Sequence, residues 1–339
     1  MKIEVKLMAA TLKIIAERAG LSQSTVSQIL NRRSNDFSSE KTRRRVFDLA
    51  HELGYKQNFG HKLLRGDKTH TAAILLSMHR MTLEEHIQSL IIRLLDQLEN
   101  KGYGAYLVTL ADTAEKNLET VKELITRGVD SFIFLGHPVG AKLLEPYIYE
   151  QNRTLIGYGS AFSRKVRDDT SRSTAEIIRF FLAEDHRNFR FFLGTPAHAD
   201  RVKGLCKTFP GKTEKGLLKK YLVDLGPLAE HNDIDTFAEL GFQATKRAFE
   251  LDPSIDACFY LSDYFAVGGL RYLMGSGKKI GSDVLVAGFN NIHAIRNFPL
   301  PVSSAEHDIQ SIAEALIGEM TQTGARERII PTRTIIRKI

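Results

Sequence analysis

The sequence predicts an α/β protein with a small helical domain at its N-terminus and a larger core of two doubly wound lobes. Residues 11–54 contain short stretches with helical periodicity, and residues that commonly cap or end helices flank these stretches. From about residue 71, buried strand-like runs such as AAILL, AYLVTL and FIFLG alternate with amphipathic helical segments. The alternation begins a second time near Thr174. Two series of this kind are typical of parallel βαβ units arranged in two lobes.

The composition indicates a globular protein that is neither membrane-spanning nor secreted. Of its 339 residues, 43% are hydrophobic and 26% are charged, which is ordinary for a soluble chain. The longest apolar runs are much shorter than the roughly 20 residues that cross a bilayer. Charges at Lys2, Glu4 and Lys6 interrupt the N-terminus, so no signal peptide is expected. We therefore expect a cytoplasmic protein, in which Cys206 and Cys258 are buried thiols rather than a disulfide.

The net charge is concentrated at one end of the chain. Residues 1–65 contain 13 Lys and Arg against 6 Asp and Glu. Of the 47 basic and 40 acidic residues in the whole chain, 34 of each therefore lie after residue 65. A basic segment attached to a neutral body favours a polyanionic partner for that segment, and nucleic acid and an anionic membrane surface are the two candidates.

Two short helices joined by a tight turn are predicted in the basic segment. Thr11 is a suitable N-cap for the first helix, and Gly20 supplies its stop. Ser22 is a good N-cap for the second. Helices that meet at a steep angle need a small residue at their contact, which Ala16 provides, and a turn residue that tolerates positive φ, which Gly20 provides. The pattern predicts a helix-turn-helix, completed by a third helix over residues 41–53.

The outward face of the second helix is suited to reading DNA. Its side chains are short or carry amides, and none is a bulky charge that would block entry into a groove. An α-helix fits the major groove, where Gln can bond to adenine and Ser to several base edges or to phosphate. The alternative is a polar face that is merely solvated. The residues on this face are Ser22, Gln23, Ser24, Ser27 and Gln28.

Two long segments resemble the DNA-binding headpiece of the LacI/GalR family of transcriptional repressors. They are TLKIIAERAGLSQSTVSQILN (residues 11–31) and SSEKTRRRVFDLAHELGYKQN (residues 38–58). The family usually has an acid where this chain has Ile14. An acid there could complete a capping box with Thr11, so we expect a modestly weaker first helix.

The resemblance implies roles for individual headpiece residues. Gln23, Ser24 and Gln28 match the positions that read operator bases. Thr25 and Ser27 match hydroxyls that support the helix or touch phosphate, and Tyr55 matches a tyrosine that packs the headpiece and approaches the DNA backbone. The candidate DNA contacts in the headpiece are Thr11, Ser22, Gln23, Ser24, Thr25, Ser27, Gln28, Asn31, Arg32, Arg44 and Tyr55.

After the headpiece, the family has a short hinge helix that wedges a leucine into the minor groove. NFGHKLLR, residues 58–65, occupies that place, with Leu64 at the wedge position and Arg65 beside it. An apolar wedge bends DNA by unstacking a base step, and a cation favours the negative minor groove. Leu64 could instead dock on the core. Family positions for Pro and Ala hold Gln57 and His61 here, and Gly60 weakens an isolated helix, so the hinge departs most from the family pattern.

The remainder of the chain is similar to the periplasmic-binding-protein-like core of the same family. The similarity is strongest from Asp256 to Asp308. It implies two lobes, with an effector-binding cleft between them. The predicted domains are a headpiece over residues 9–57, a hinge over 58–69 and a core over 70–339, whose first lobe takes about 70–167 and 302–326 and whose second takes about 168–301 and 327–339.

The resemblance also implies candidate effector-binding residues. Asp263 matches an aspartate at a helix start, and Arg201, in RVKGL, matches an arginine of the family's pocket. A helix cap and a surface ion-pair partner are the respective alternatives. The family's two acids after Gly-Phe are replaced here by asparagines, at Asn290 and Asn291. Further candidates for the pocket are His86, Asp235 and Phe298.

The sequence offers no enzymatic mechanism and no cofactor site. GSGKK, at residues 275–279, lacks the spacer and the Ser or Thr of a P-loop. His79 and His86, with Glu84 and Glu85 between them, match no metal-ligand frame, and no nucleophile elbow occurs.

The expected function is that of a sequence-specific transcriptional repressor that binds a partly palindromic double-stranded operator as a homodimer. A small molecule in the cleft, a sugar or a related metabolite, is expected to control it. The sequence does not distinguish a dimer from a tetramer, and no membrane partner is expected. The alternative is a small-molecule sensor that has lost operator specificity.

Overall fold

The computed structural model of the chain describes residues 11–30, 36–55, 67–77, 84–193, 199–225 and 234–338. The chain divides into two compact units, residues 1–69 and 70–339. In the described part, every helix is too short or too polar to cross a bilayer.

The first unit is a three-helix headpiece made of α1 (Leu12–Ala19), α2 (Gln23–Leu30) and α3 (Glu40–Glu52). The predicted caps are confirmed. The Thr11 hydroxyl accepts a hydrogen bond from the Ile14 N–H, and the Ser22 hydroxyl accepts one from the Thr25 N–H at 3.1 Å. Gly20 ends α1 with φ at 68°, which is the left-handed conformation that the turn needs. Ile15, Ala16, Ala19, Val26, Ile29, Val46 and Ala50 form the small buried core.

The second unit is a core whose strands alternate with helices along the chain. Its strands are β1 (Thr71–Leu76), β2 (Gly104–Thr109), β3 (Ser131–Leu135), β4 (Thr154–Tyr158), β5 (Arg164–Asp169), β6 (Phe189–Leu193), β7 (Leu222–Asp224), β8 (Ala257–Tyr260), β9 (Leu285–Phe289), β10 (Val302–Glu306), β11 (Arg326–Pro331) and β12 (Arg333–Ile335).

Helices cover the sheets that these strands form. They are α4 (Glu85–Asn100), α5 (Ala114–Thr126), α6 (Ala141–Glu150), α7 (Thr170–Ala183), α8 (Ala199–Thr208), α9 (Glu214–Tyr221), α10 (Ile234–Leu251), α11 (Asp263–Gly275), α12 (His293–Arg296) and α13 (Ile309–Glu319).

The strands form two six-stranded sheets, one in each lobe. The first sheet has the order β11-β5-β4-β3-β1-β2, and all its pairings are parallel. The second has the order β12-β10-β9-β8-β6-β7, in which only the pairing of β10 with β12 is antiparallel. Successive side chains point to opposite faces, so Ile74 packs under α4 and α13 while Leu75 packs under α5 and α6. The predicted α/β fold is confirmed.

The lobe boundaries differ from the sequence prediction at two strands. Residues 302–306 were expected in the first lobe, but β10 pairs with β9 in the second sheet. Residues 327–331 were expected in the second lobe, but β11 pairs with β5 in the first sheet. The chain crosses from the second lobe to the first after β10 and returns after β11. Hydrophobic periodicity does not specify which sheet a buried strand joins.

The two cysteines differ in burial. Cys258 is buried on β8, as expected, whereas Cys206 on α8 is only partly buried. Burial raises the pKa of the Cys258 thiol to about 12. A thiol with so high a pKa is inert at neutral pH, which agrees with a packing role.

Candidate functional site

The first candidate surface is the outward face of α2. Val26 and Ile29 are buried on its inner side, while Gln23 and Ser24 are exposed and Gln28 is partly exposed. This places the amides on the side of the helix away from the headpiece core.

The small hydroxyl side chains at the start of α2 are engaged with one another. The Ser22 hydroxyl lies 2.7 Å from that of Ser24 and 2.8 Å from that of Thr25. These contacts fix the first turn of the helix, so Gln23 and Gln28 are the long side chains that this face projects outward.

Arg44 lies on α3. It lines a cleft between α1 and α3, and every described residue of that cleft belongs to these two helices. Arg18 and Glu52 form an ion pair in the cleft, with 3.6 Å between Nη1 and Oε1. By contrast, the neighbouring Arg43 donates from its Nε to Asp36 at 2.7 Å.

Other predicted DNA contacts are structural or lie outside the described part of the chain. Thr11 caps α1, and Tyr55 packs against the headpiece core. The structure does not describe Asn31, Arg32, Leu64 or Arg65.

The second candidate site is a cavity of about 260 Å³ between the two lobes of the core. It forms where the carboxyl ends of parallel strands meet, which is where ligands bind in open α/β sheets. Phe237, Tyr264 and Phe265 contribute aromatic surface from the second lobe. The polar side chains that line it are those of Glu84, His86, Tyr158, Asp168, Arg201, Ser262, Asn290 and His307.

A chain of hydrogen bonds crosses the floor of this cavity. The Tyr158 hydroxyl donates to Asp168 Oδ2 at 2.5 Å, and His307 Nδ1 lies 3.2 Å from the same oxygen. Asn290 directs its amide nitrogen to Ser262, so its Oδ1 accepts from His307 Nε2 at 3.2 Å. Burial alone would raise the pKa of Asp168, but the His307 charge and hydrogen bonds from His307 and Tyr158 outweigh it and lower that pKa.

Arg201 is a buried cation beside this chain of hydrogen bonds. Its guanidinium carbon lies 3.7 Å from the centre of the Phe289 ring. Burial lowers the pKa of Arg201 to about 10, against the attraction of Asp168 and Asp263. Arg201 is therefore still charged at neutral pH.

His86 is an uncharged imidazole facing the same space. Its ring stacks on that of His307, with 4.6 Å between centroids. Burial, followed by the charges of His307 and Arg201, holds the pKa of His86 well below its ordinary value. His86 Nε2 lies 3.6 Å from Glu84 Oε2, which favours the tautomer with its proton on Nε2 and leaves Nδ1 as an acceptor.

Three buried polar atoms of the cavity residues have no hydrogen-bond partner among the residues described. They are His86 Nδ1, Asp168 Oδ1 and Arg201 Nη1. Leaving such an atom unsatisfied costs about 1 to 3 kcal/mol, and more for a charged group. A polar molecule that presents two donors and one acceptor would satisfy all three.

The structure brings together only part of the predicted effector set. Arg201 and His86 both line the cavity. Asp263 and Phe298 are not among its described lining residues, and the side chain of Asp235 lies outside the described part of the chain. Phe298 packs against the core of the second lobe instead.

Asp263 is occupied by the protein itself. It is fully buried at the start of α11, where its carboxylate accepts from the Ile292 N–H at 2.9 Å and from the Ser304 hydroxyl at 3.0 Å. A Cβ at Gly288 would lie 1.9 Å from Asp263 Oδ1, so the glycine before Phe289 makes room for this carboxylate. Asp263 therefore joins α11 to the strands behind the cavity.

Sequence reasoning missed Tyr158, Asp168 and His307. Each lies in the last two residues of a strand or directly after one, at the sheet edge that forms the cavity. Polar residues at the ends of buried strands were the available signal, and Asn290, noted only as a family departure, carries the same signal.

Burial of Asp263 predicts a specific pH dependence of stability. Burial raises its pKa to about 7, whereas the unfolded value is about 3.9. Between these values the folded state holds a proton that the unfolded state has lost, so the contribution to stability falls as pH rises from about 4 to 7, by at most roughly 1.4 kcal/mol per pH unit.

We therefore expect wild-type stability to decline relative to Asp263→Asn over this window and the difference to be constant above it. Urea unfolding at a series of pH values measures this, with Asp185→Asn on the surface of the same lobe as control. A difference that does not change with pH would contradict the assignment.

Comparison with known proteins identifies both units. Residues 11–58 match the family model described as bacterial regulatory proteins, lacI family. Residues 178–338 match the model described as periplasmic binding protein-like domain.

Curated relatives align with most of the chain. The chain is 21% identical over 300 residues to the HTH-type transcriptional repressor PurR of Actinobacillus pleuropneumoniae serotype 3 (strain JL03), covering 87% of this chain and 85% of that protein. It is 24% identical over 357 aligned positions to the HTH-type transcriptional repressor CytR of Escherichia coli (strain K12), covering 99% and 98%. A structure of the lac repressor dimer bound to operator and the anti-inducer ONPF has the same fold, with a TM-score of 0.73 at 19% identity, covering 97% of this chain and 98% of that chain.

A helix-turn-helix headpiece followed by a two-lobed core with a polar interlobe cavity defines a DNA-binding regulator with an effector-binding domain. The chain belongs to the lacI family of bacterial regulatory proteins. The resemblance of the sequence to LacI-family transcriptional regulators is thereby confirmed.

Proposed function

We propose that this repressor binds a partly palindromic operator as a homodimer and that a small polar molecule in the interlobe cavity controls that binding. The observation that carries the proposal is that three residues lining one cavity, His86, Asp168 and Arg201, each have a buried polar atom without a hydrogen-bond partner among the described residues. Such groups are costly to maintain unless a ligand meets them.

The outward face of α2 supports the DNA-binding part of the proposal. Gln23 and Gln28 project from it, and glutamine amides can make paired hydrogen bonds to adenine in the major groove. One headpiece contacts only a few base pairs. A homodimer would place two recognition helices about one helical turn of DNA apart. This spacing increases affinity and fixes the register of the protein on the DNA.

The cavity favours a hydroxylated ligand, such as a sugar or a related metabolite. A hydroxyl group can donate to Asp168 Oδ1 while accepting from Arg201, and a neighbouring hydroxyl can donate to His86 Nδ1. The aromatic rings of Phe237, Tyr264 and Phe265 offer apolar surface for the carbon skeleton. We propose that the ligand is bound without being turned over, in keeping with relatives that are regulators rather than enzymes.

Control would follow from differential binding to two lobe arrangements. The cavity takes residues from both lobes, so a ligand that contacts both stabilises the arrangement that brings them together. A shift between arrangements would change the separation of the two headpieces in the dimer. The proposal places the protein in the cytoplasm, with its DNA.

Selection of bound fragments from genomic DNA tests the proposal as a whole. We expect enrichment of a short, partly palindromic sequence by the full chain, and a change in its affinity for that sequence, as release or as tighter binding, on addition of one class of small molecule. Binding of all fragments alike would instead favour a small-molecule sensor that has lost operator specificity, for which the hinge departures at Gln57, Gly60 and His61 are the motivation.

The recognition face gives a residue-level prediction. Gln28→Ala is expected to reduce discrimination at one base position by about 2 kcal/mol, because a paired hydrogen bond to a base is lost. Arg44→Ala, in the cleft between α1 and α3, is expected to weaken binding to all sequences alike. Affinities for a set of operators with single base changes measure both. Equal, sequence-independent losses from the two variants would show that Gln28 does not read bases.

A further inference from the structure

Glu85, the first residue of α4, connects the first lobe to two elements of the second. Its backbone N–H donates to the Tyr264 hydroxyl at 3.1 Å, and Tyr264 lies in the first turn of α11. Its carboxylate Oε2 accepts from the backbone N–H of His293 at 2.8 Å. The same oxygen lies 3.8 Å from Arg296 Nη2, at the other end of α12. One residue therefore contacts the second lobe through both its main chain and its side chain.

The position of Glu85 relates it directly to the cavity. The residues on either side of it, Glu84 and His86, line the cavity, and so does Tyr264. Glu85 is itself not among the described lining residues. A ligand in the cavity would therefore leave the contacts of the Glu85 carboxylate with His293 and Arg296 in place, and these contacts act on the same lobe arrangement that the ligand stabilises.

We infer that Glu85 is a positioning residue that holds α12 of the second lobe against the start of α4 and so favours the lobe arrangement of this structure, called the closed arrangement below. A carboxylate that accepts from a backbone N–H forms a charge-assisted hydrogen bond, which is stronger than one between neutral groups. Arg296 adds attraction that solvent weakens, because both side chains are partly exposed.

The consequence for regulation rests on the proposed function. When only the closed arrangement binds ligand tightly, the apparent dissociation constant is the intrinsic constant divided by the closed fraction. Glu85 would then raise effector affinity without touching the effector. Its loss would lower that affinity and would leave the contacts within the cavity intact.

Closure itself can be measured without ligand or DNA. Spin labels are placed at Glu119→Cys on α5 and Arg247→Cys on α10, one on each lobe, in full-length protein with Cys206→Ser. Double electron–electron resonance then gives the distribution of distances between the lobes. Glu85→Ala is compared with Glu85→Gln, which keeps an acceptor for the His293 N–H, and with Glu99→Ala, an exposed position on the same helix.

We expect Glu85→Ala to reduce the closed population, relative to the open one, about threefold to tenfold, the effect of losing one hydrogen bond to a charged group at a partly exposed site. Glu85→Gln is expected to fall between Glu85→Ala and the wild type, and Glu99→Ala to match the wild type. Hydrogen exchange of the peptide that contains His293 reports whether the contact forms in each variant.

A distance distribution for Glu85→Ala that matches that of Glu99→Ala would overturn the inference, whether or not the His293 amide has lost protection. Because neither measurement uses operator or effector, this outcome is distinct from failure of the proposed function. That failure would appear as a lack of operator selection by a protein whose lobes still respond to Glu85→Ala.

Discussion

Replacement of Arg201 by methionine is expected to lower effector affinity roughly 100-fold and to leave effector-free operator binding unchanged. Methionine keeps apolar contact with the Phe289 ring, over which the guanidinium now lies at 3.7 Å. It removes the buried donor that an effector hydroxyl would meet. Truncating one partner of a buried charged hydrogen bond costs about 2 to 5 kcal/mol, and the free energy of a roughly 100-fold loss of affinity lies within this range.

A thermal-shift screen with pentoses, hexoses, glycosides and nucleosides supplies the effector, and calorimetry then gives its affinity for each variant. Lys203→Ala is the matched control, since Lys203 lies on the same helix with its side chain exposed and paired with Asp200. Its affinity should equal that of the wild type. An unchanged affinity for Arg201→Met would move the effector site away from this cavity.

Gly268→Ala is expected to destabilise the core by about 3 kcal/mol, the upper part of the range for overpacking a close contact. A Cβ at Gly268 would lie 1.7 Å from the carbonyl oxygen of Ala238, where α11 crosses α10. The same crossing is tight from the other side, because a Cβ at Gly241 would lie 2.1 Å from the carbonyl oxygen of Phe265. The two backbones cannot separate without disturbing Phe265, which lines the cavity.

Urea unfolding measures this effect, and Gly275→Ala on the same helix is the control. A Cβ at Gly275 meets no described atom within 4 Å, so this change is expected to be neutral or to stabilise the helix by up to about 1 kcal/mol. If Gly268→Ala were as stable as Gly275→Ala, the close crossing of α10 and α11 would be wrong.

The headpiece was predictable because its signals are local. Thr11 and Ser22 cap the helices that follow them, and Gly20 adopts the positive φ that the turn demands. Each of these features depends on neighbours within a few residues in sequence. The alternation of buried strands and helices in the core is also local, so the α/β class followed from it.

The arrangement of the cavity was less predictable because it depends on contacts between distant parts of the chain. Asp168 and His307 are 139 positions apart in the printed sequence, and they meet because β5 and β10 deliver them to one cleft. Asp263 was expected in the cleft, but Ile292 and Ser304 occupy its carboxylate. Which polar groups are left without a hydrogen-bond partner depends on how the strands and helices are aligned in the folded protein.

Competition binding at physiological salt shows whether this chain reads a specific DNA sequence. The full chain is titrated with its selected operator against random-sequence DNA over a range of salt concentrations. We predict that the preference for operator is at least about 1000-fold and persists as salt weakens both complexes. Equal affinity for operator and random DNA at physiological salt would show that the chain does not read a specific DNA sequence.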